Sequence, residues 1–215
     1  MKKKNQKHLW CSISMLVAFA LWTGLLCIVD VQPIGPRGAA VGFATLNGLF
    51  HNLTGVHMPL YHITDWLGLV PVALGFGFAI LGLLQWIKRK HILKVDYNIL
   101  VLGGYYILVL AAYLFFEEYV VNYRPVLIAG YLEASYPSST TLLVLCVMPT
   151  ALMQLNTRIR NRKMRLCVDW GIKTFVTFMV IGRLISGVHW FTDIIGGILL
   201  SAGLVMLYHH ISNLK

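Results

Sequence analysis

The sequence predicts an all-α integral membrane protein: a bundle of about six transmembrane helices, with a short interfacial helix in its first outer loop. Three observations predict it. Of the 215 residues, 58% are hydrophobic and only 12% charged, with a mean hydropathy of +0.71; this leaves too little polar surface for a soluble domain of that size. The apolar residues gather into runs long enough to cross a bilayer. The Lys and Arg residues between the runs alternate in density, as loops on opposite membrane faces do. No internal repeat or low-complexity tract divides the chain, so 1–215 reads as one transmembrane domain.

A basic head with Lys2, Lys3, Lys4 and Lys7 precedes a first span from Leu9 to about Val29. That run is longer than a signal-peptide core and lacks a small-x-small cleavage site, which predicts a retained helix. From Asp30 to about Thr64 the composition changes, with Pro33, Pro36, Asn47, Asn52, His51, His57 and His62. Leu46, Leu49, Phe50 and Leu53 recur there at helical spacing, which predicts a loop carrying a short interfacial helix. The next spans run from Trp66 to Ile87 and from Tyr97 to Phe116. After the polar segment Glu117–Ser139 come spans at Thr140–Leu155, Trp170–Ile185 and His189–Tyr208.

Counting basic residues by alternate side tests this layout. One side collects fourteen of the 18 Lys and Arg residues; the other holds only Arg37, Arg124 and Arg183. Lys173 is left near the start of the fifth span, where it can snorkel or pair with Asp169 at i, i+4. The positive-inside rule then predicts cytoplasmic termini and an outer face carrying Arg124, Arg183 and His189. Topology accounts for the basic clusters, which suit anionic headgroups, so they give no reason to expect a nucleic-acid partner. Cys11, Cys27, Cys146 and Cys167 lie in or beside apolar runs without metal-type spacing and read as small hydrophobes. The chain also lacks the paired halves and broken spans of many transporters.

The stretch from Arg183 to Asp193 stands apart. It sets Arg183, His189 and Asp193 within membrane-length apolar sequence, where charged groups are costly and usually have a task. On a helix, His189 and Asp193 would share a face one turn apart. A carboxylate there can hold one ring nitrogen and leave the other free as a nucleophile or base. Upstream, Arg124-Pro125 ends one polar stretch, and Pro137-Ser138-Ser139-Thr140 opens a helix. Proline followed by Ser and Thr is a helix-start signature, and the N–H groups of such an end attract anions.

These residues resemble the type 2 phosphatidic acid phosphatase superfamily of membrane lipid phosphatases. Its signature is Lys, six residues, Arg-Pro; then Pro-Ser-Gly-His; then Ser-Arg, five residues, His, three residues, Asp. Arg124-Pro125 match the end of the first part, Pro137-Ser138 the start of the second, and Arg183, His189 and Asp193 the third. The resemblance implies that His189 attacks phosphorus and forms a phosphohistidine while Asp193 orients its ring. Arg124, Arg183, Ser138, Ser139 and Thr140 would hold the phosphate oxygens. The implied reaction needs no metal and no cofactor, and the sequence offers no ligand cluster for a metal.

Four positions depart from the signature: Glu117 replaces its Lys, Ser139 its Gly, Thr140 its second-part His and Gly182 its third-part Ser. The missing His would protonate the leaving oxygen, a contribution of about 10²–10⁴-fold. A lipid monophosphate leaving from a diphosphate needs that proton less than an alkoxide does. The expectation is therefore a membrane lipid phosphatase acting on the outer face of the plasma membrane. It would favour a polyprenyl diphosphate over phosphatidic acid, with His51, His57 or His62 as candidate replacement acids. The alternative is a catalytically impaired relative that binds lipid phosphates or serves a partner protein.

Overall fold

The computed structural model describes residues 2–214, with side chains from Asn5 to Leu214. Eight α-helices follow in order: α1 Lys2–Leu26, α2 Ala44–Thr54, α3 Met58–Leu67, α4 Leu69–Arg89, α5 Tyr97–Glu118, α6 Ser139–Arg158, α7 Arg162–Ile185 and α8 Phe191–Ser212. Among the described residues there is no regular strand. Isolated bridges pair Tyr123 with Ala134 and Ile128 with Tyr131, folding the segment after α5 into a small hairpin.

Five stretches are long and apolar enough to cross a membrane: α1, the α3–α4 pair, α5, α6 and α8. The helix α7 has 24 residues, about 36 Å at 1.5 Å per residue, which is also a membrane-crossing length. Asp169, Lys173 and Arg183 lower its apolarity. Burial separates the axis of the bundle from its rim. Ten of the 20 residues of α6 and 11 of the 22 of α8 are buried, against four of 22 in α5 and two of 21 in α4. So α6 and α8 form the centre, and α1, α4 and α5 turn Leu21, Leu83, Leu84, Ile107 and Leu110 outward. Leu102, Tyr105, Tyr136, Leu142, Cys146, Leu204 and Tyr208 belong to the core between them. Small residues let α1 cross close to α8, where the Ser12 hydroxyl donates to the Gly203 carbonyl at 2.8 Å.

The bundle has two unlike ends. At one, α1 begins beside the close of α8: Asn5 O lies 2.9 Å from His210 Nδ1, and the His8 and His209 rings are 4.1 Å apart. The same end holds Arg89 on Asp96 at 2.8 Å, and Arg158 on Gln154. At the other end gather the close of α1, the helices α2 and α3, the hairpin, and the starts of α6 and α8.

Three local outcomes differ from the sequence expectations. The helix α1 begins inside the basic head, because Lys is a good helix former. The segment after α1 forms two short helices, and His62 sits on the second of them. Backbone angles at Gly68 stay helical, so α3 runs almost directly into α4. Finally, α8 starts at Phe191 with Trp190 as its N-cap, so His189 lies ahead of the helix and not on it.

Candidate active site

The loop from Ser186 to Trp190 carries His189 and is held by close backbone contacts. Gly187 has φ +69°, and a Cβ there would lie 1.9 Å from the Gly55 carbonyl oxygen, so only glycine fits. One residue back, the Ser186 carbonyl accepts the His57 N–H at 2.9 Å. On α7, a Cβ at Gly182 would lie 2.8 Å from Thr64 Cγ2. This is the position of the signature Ser, and the glycine lets α7 press onto α3.

Asp193 is buried at the third position of α8, where its Oδ2 accepts the Trp190 N–H at 2.8 Å. Its other oxygen faces Asn122 Nδ2 at 3.4 Å. Because His189 precedes the helix, the two side chains do not stack one turn apart. Asp193 Oδ2 is 3.8 Å from His189 Nδ1, beyond hydrogen-bond reach. Ser135 fills the space between them. Its hydroxyl donates to Asp193 Oδ2 and lies 3.3 Å from Nδ1, and its carbonyl oxygen is 3.2 Å from Nδ1. With acceptors on that side, Nδ1 carries the ring proton and Nε2 keeps a lone pair. Nε2 faces Arg183 Nη2 at 3.4 Å. Burial first, then the charges of Arg124 and Arg183, holds the His189 imidazole well below the usual histidine range. The ring is neutral where a free histidine would begin to take a proton.

Two buried arginines line the same place. Arg183 Nη1 is 3.4 Å from Thr64 Oγ1 and 3.7 Å from the half-exposed Asp65 carboxylate. Arg124 Nε is 3.1 Å from Glu133 Oε2 but is not aligned for a hydrogen bond. Both guanidinium groups face the ring of Tyr61, 5.0 Å from its centre for Arg183 and 5.8 Å for Arg124. Arg124 Nε and Nη1 and Arg183 Nε remain buried donors without a hydrogen-bond partner. Unmatched donors on adjacent cations are costly, and an oxyanion has the acceptors to match them.

The start of α6 adjoins these groups through the Ser138 N–H, which donates to the Asp193 carbonyl at 3.1 Å. The Ser138 hydroxyl is buried without a partner. The N–H groups of Ser139, Thr140 and Thr141 precede the first intrahelical bond, from Leu142 N to Ser138 O. Thr140 Cγ2 packs toward Gly68 at the α3–α4 junction.

The other singled-out residues are spread around this centre. Glu117 is exposed and shares a small pocket with Tyr113, Ser135 and Ser139; the ion pair of Arg124 is with Glu133 instead. His51 is half-buried against the Trp190 ring at 5.6 Å. His57 Nε2 is 2.8 Å from Thr54 O, and the exposed His62 lies beside Tyr61. Sequence reasoning passed over Ser135, Asn122, Tyr61 and Thr64. Ser135 adjoins the Tyr136-Pro137 helix start, a weak signal, and the others had none.

A family model for the PAP2 superfamily matches residues 102–215, more than half the chain. The chain belongs to the PAP2 superfamily. The matched part contains Arg124, Ser138, Arg183, His189 and Asp193, whereas Tyr61 and Thr64 lie ahead of it. Among solved structures, the chain is similar to a transmembrane PAP2-type phosphatidylglycerolphosphate phosphatase from Bacillus subtilis. The similarity has a TM-score of 0.58 at 18% identity, covering 93% of this chain and 94% of that one. A search among curated proteins found no match. The shared fold therefore extends beyond residues 102–215 into the part of the chain ahead of them.

Proposed function

We propose that this chain is a membrane lipid phosphatase working through a phosphohistidine at His189. The observation that carries the reading is a buried imidazole set beside two buried arginines that keep unmatched donors. In the first step Nε2 attacks phosphorus, an N–P bond forms, and the P–O bond to the lipid breaks. Arg124, Arg183, the Ser138 hydroxyl and the first-turn N–H groups of Ser139 and Thr140 hold the equatorial oxygens, where charge collects. Asp193, through the Ser135 hydroxyl that lies between it and Nδ1, stabilises the charged imidazole. Water then attacks phosphorus, the N–P electron pair returns to Nε2, and phosphate leaves.

Thr140 stands where the signature has its proton donor, so the substrate of choice is a lipid diphosphate such as a polyprenyl diphosphate. Its leaving lipid monophosphate departs without an acid more readily than an alkoxide. The test is phosphate release from a polyprenyl diphosphate, phosphatidic acid and phosphatidylglycerol phosphate, with His189→Ala as control. The diphosphate should turn over fastest. A clear preference for either monoester overturns this specificity, and release that survives in His189→Ala overturns the mechanism. Thr140 also favours a second reading, an impaired relative that binds lipid phosphate without turning it over. Binding without release by the wild type would establish it.

The basic clusters support cytoplasmic termini and a site facing outward in the plasma membrane. A cysteine replacing the exposed Tyr131 of the hairpin, in a background without the native cysteines, should react with an impermeant thiol reagent in intact cells. Protection until lysis would reverse the orientation.

A further inference from the structure

Two guanidinium groups that must grip one phosphate repel each other while they wait for it. In this site one aromatic ring lies against both. Tyr61 is buried, and Arg183 and Arg124 lie 5.0 Å and 5.8 Å from its ring centre. The ring presents negative charge density to cations over its face, and the contact strengthens with burial. Tyr61 belongs to a row on α3. Thr64, three residues on, contacts Arg183 Nη1 at 3.4 Å, and Asp65, four residues on, faces the same atom at 3.7 Å. Spacings of three and four place these side chains on one helix face. That face is pinned to α7 where Gly182 leaves no room for a Cβ beside Thr64, and to the His189 loop by the His57–Ser186 bond.

We propose that Tyr61 is a positioning residue for the anion site, a π platform that gathers Arg124 and Arg183 into one phosphate clamp. The inference rests on the reading above that these arginines bind the substrate phosphoryl group. Removing the platform lets the two cations move apart, Arg124 toward Glu133 and Arg183 toward Asp65. Phosphate must then regather them, and affinity falls. The ring of His189 keeps its Nδ1 contacts with Ser135, which do not involve Tyr61, and only the Arg183 Nη2 that faces its Nε2 shifts.

The experiment measures orthovanadate inhibition and steady-state kinetics on the purified full-length protein, with a lipid diphosphate as substrate. Tyr61→Phe keeps the ring face and should match the wild type in both. Tyr61→Leu should weaken vanadate inhibition and raise KM by about tenfold, with kcat changed much less. Because Tyr61→Leu also alters packing, phenylalanines carrying one to three ring fluorines at position 61 provide the second series. Fluorine withdraws charge from the ring face with little change of shape, so vanadate affinity should fall step by step with each addition. Equal affinity across the fluorine series, or a loss in Tyr61→Leu confined to kcat, overturns the platform. If the wild type binds no vanadate, or Arg183→Ala binds it equally well, the phosphate-site reading fails and the platform with it.

Discussion

The two ends of the bundle both carry arginines, and their surroundings could hardly differ more. At the end where α1 begins and α8 closes, Arg89 and Arg158 are exposed and bonded to Asp96 and Gln154. Water satisfies what remains, so these charges need no explanation beyond topology. At the opposite end Arg124 and Arg183 are buried, share one aromatic ring, and keep donors without partners. Identical side chains thus carry different information. An exposed, paired arginine reports which membrane face it occupies, whereas a buried, under-paired one reports an anion.

That contrast can be broken most sharply at Arg183. Arg183→Ala should lower kcat/KM for lipid diphosphate by about 10²–10³-fold, the range for losing a donor to a developing oxyanion. A loss below tenfold would place Arg183 with the topological arginines. Next in size is the difference between Asp193 and Ser135. Asp193→Ala strips the carboxylate from a buried network and removes the Trp190 cap, and should lower kcat by about 10²-fold or more. Ser135→Ala leaves the Ser135 carbonyl on Nδ1, and its loss of a single neutral hydrogen bond should lower kcat only about tenfold. Equal effects would mean that the hydroxyl is the sole route between Asp193 and the ring.

The pH profile tests the burial of the nucleophile. Since burial and two cations depress the His189 pKa, the ring stays unprotonated as pH falls through the ordinary histidine value. The acid limb of kcat/KM should therefore lie below about pH 6.5. A midpoint at or above that value would show that the imidazole is not shielded as described. The smallest effect belongs to the other end, where Arg158→Ala should leave kcat/KM within about twofold and cost less than about 1 kcal/mol in stability. A hundredfold loss there would erase the distinction between the ends.

How much of this was legible in the sequence follows the same division. Membrane spans are visible because bilayer thickness demands long local apolar runs, and all of α1, α4, α5, α6 and α8 stand in predicted spans. Charge alternation is local too. Arg124, Arg183, His189 and Asp193 stood out because charge inside apolar sequence is conspicuous wherever it occurs. What stayed hidden was set by contacts between distant segments. Thr64 meets Arg183 across 119 positions and Ser135 meets His189 across 54, and neither Ser nor Thr is unusual where it stands. Tyr61 is one of 10 tyrosines, and only its placement under two guanidinium groups sets it apart. The shared helical face expected for His189 and Asp193 failed for a local reason: Asp193 caps the helix, which starts two residues after His189. Gly182 read as a lost hydroxyl until the closeness of Thr64 made it a packing requirement.

The central claim is that His189 takes the phosphoryl group. It is tested most directly by acid-free quenching of the purified protein during turnover of a lipid diphosphate, followed by mapping of the bound phosphate by mass spectrometry. The account predicts a phosphoryl group on the His189 imidazole, labile in acid and missing from His189→Ala. A phosphoryl group on another residue, or turnover by His189→Ala at the wild-type rate, would contradict it.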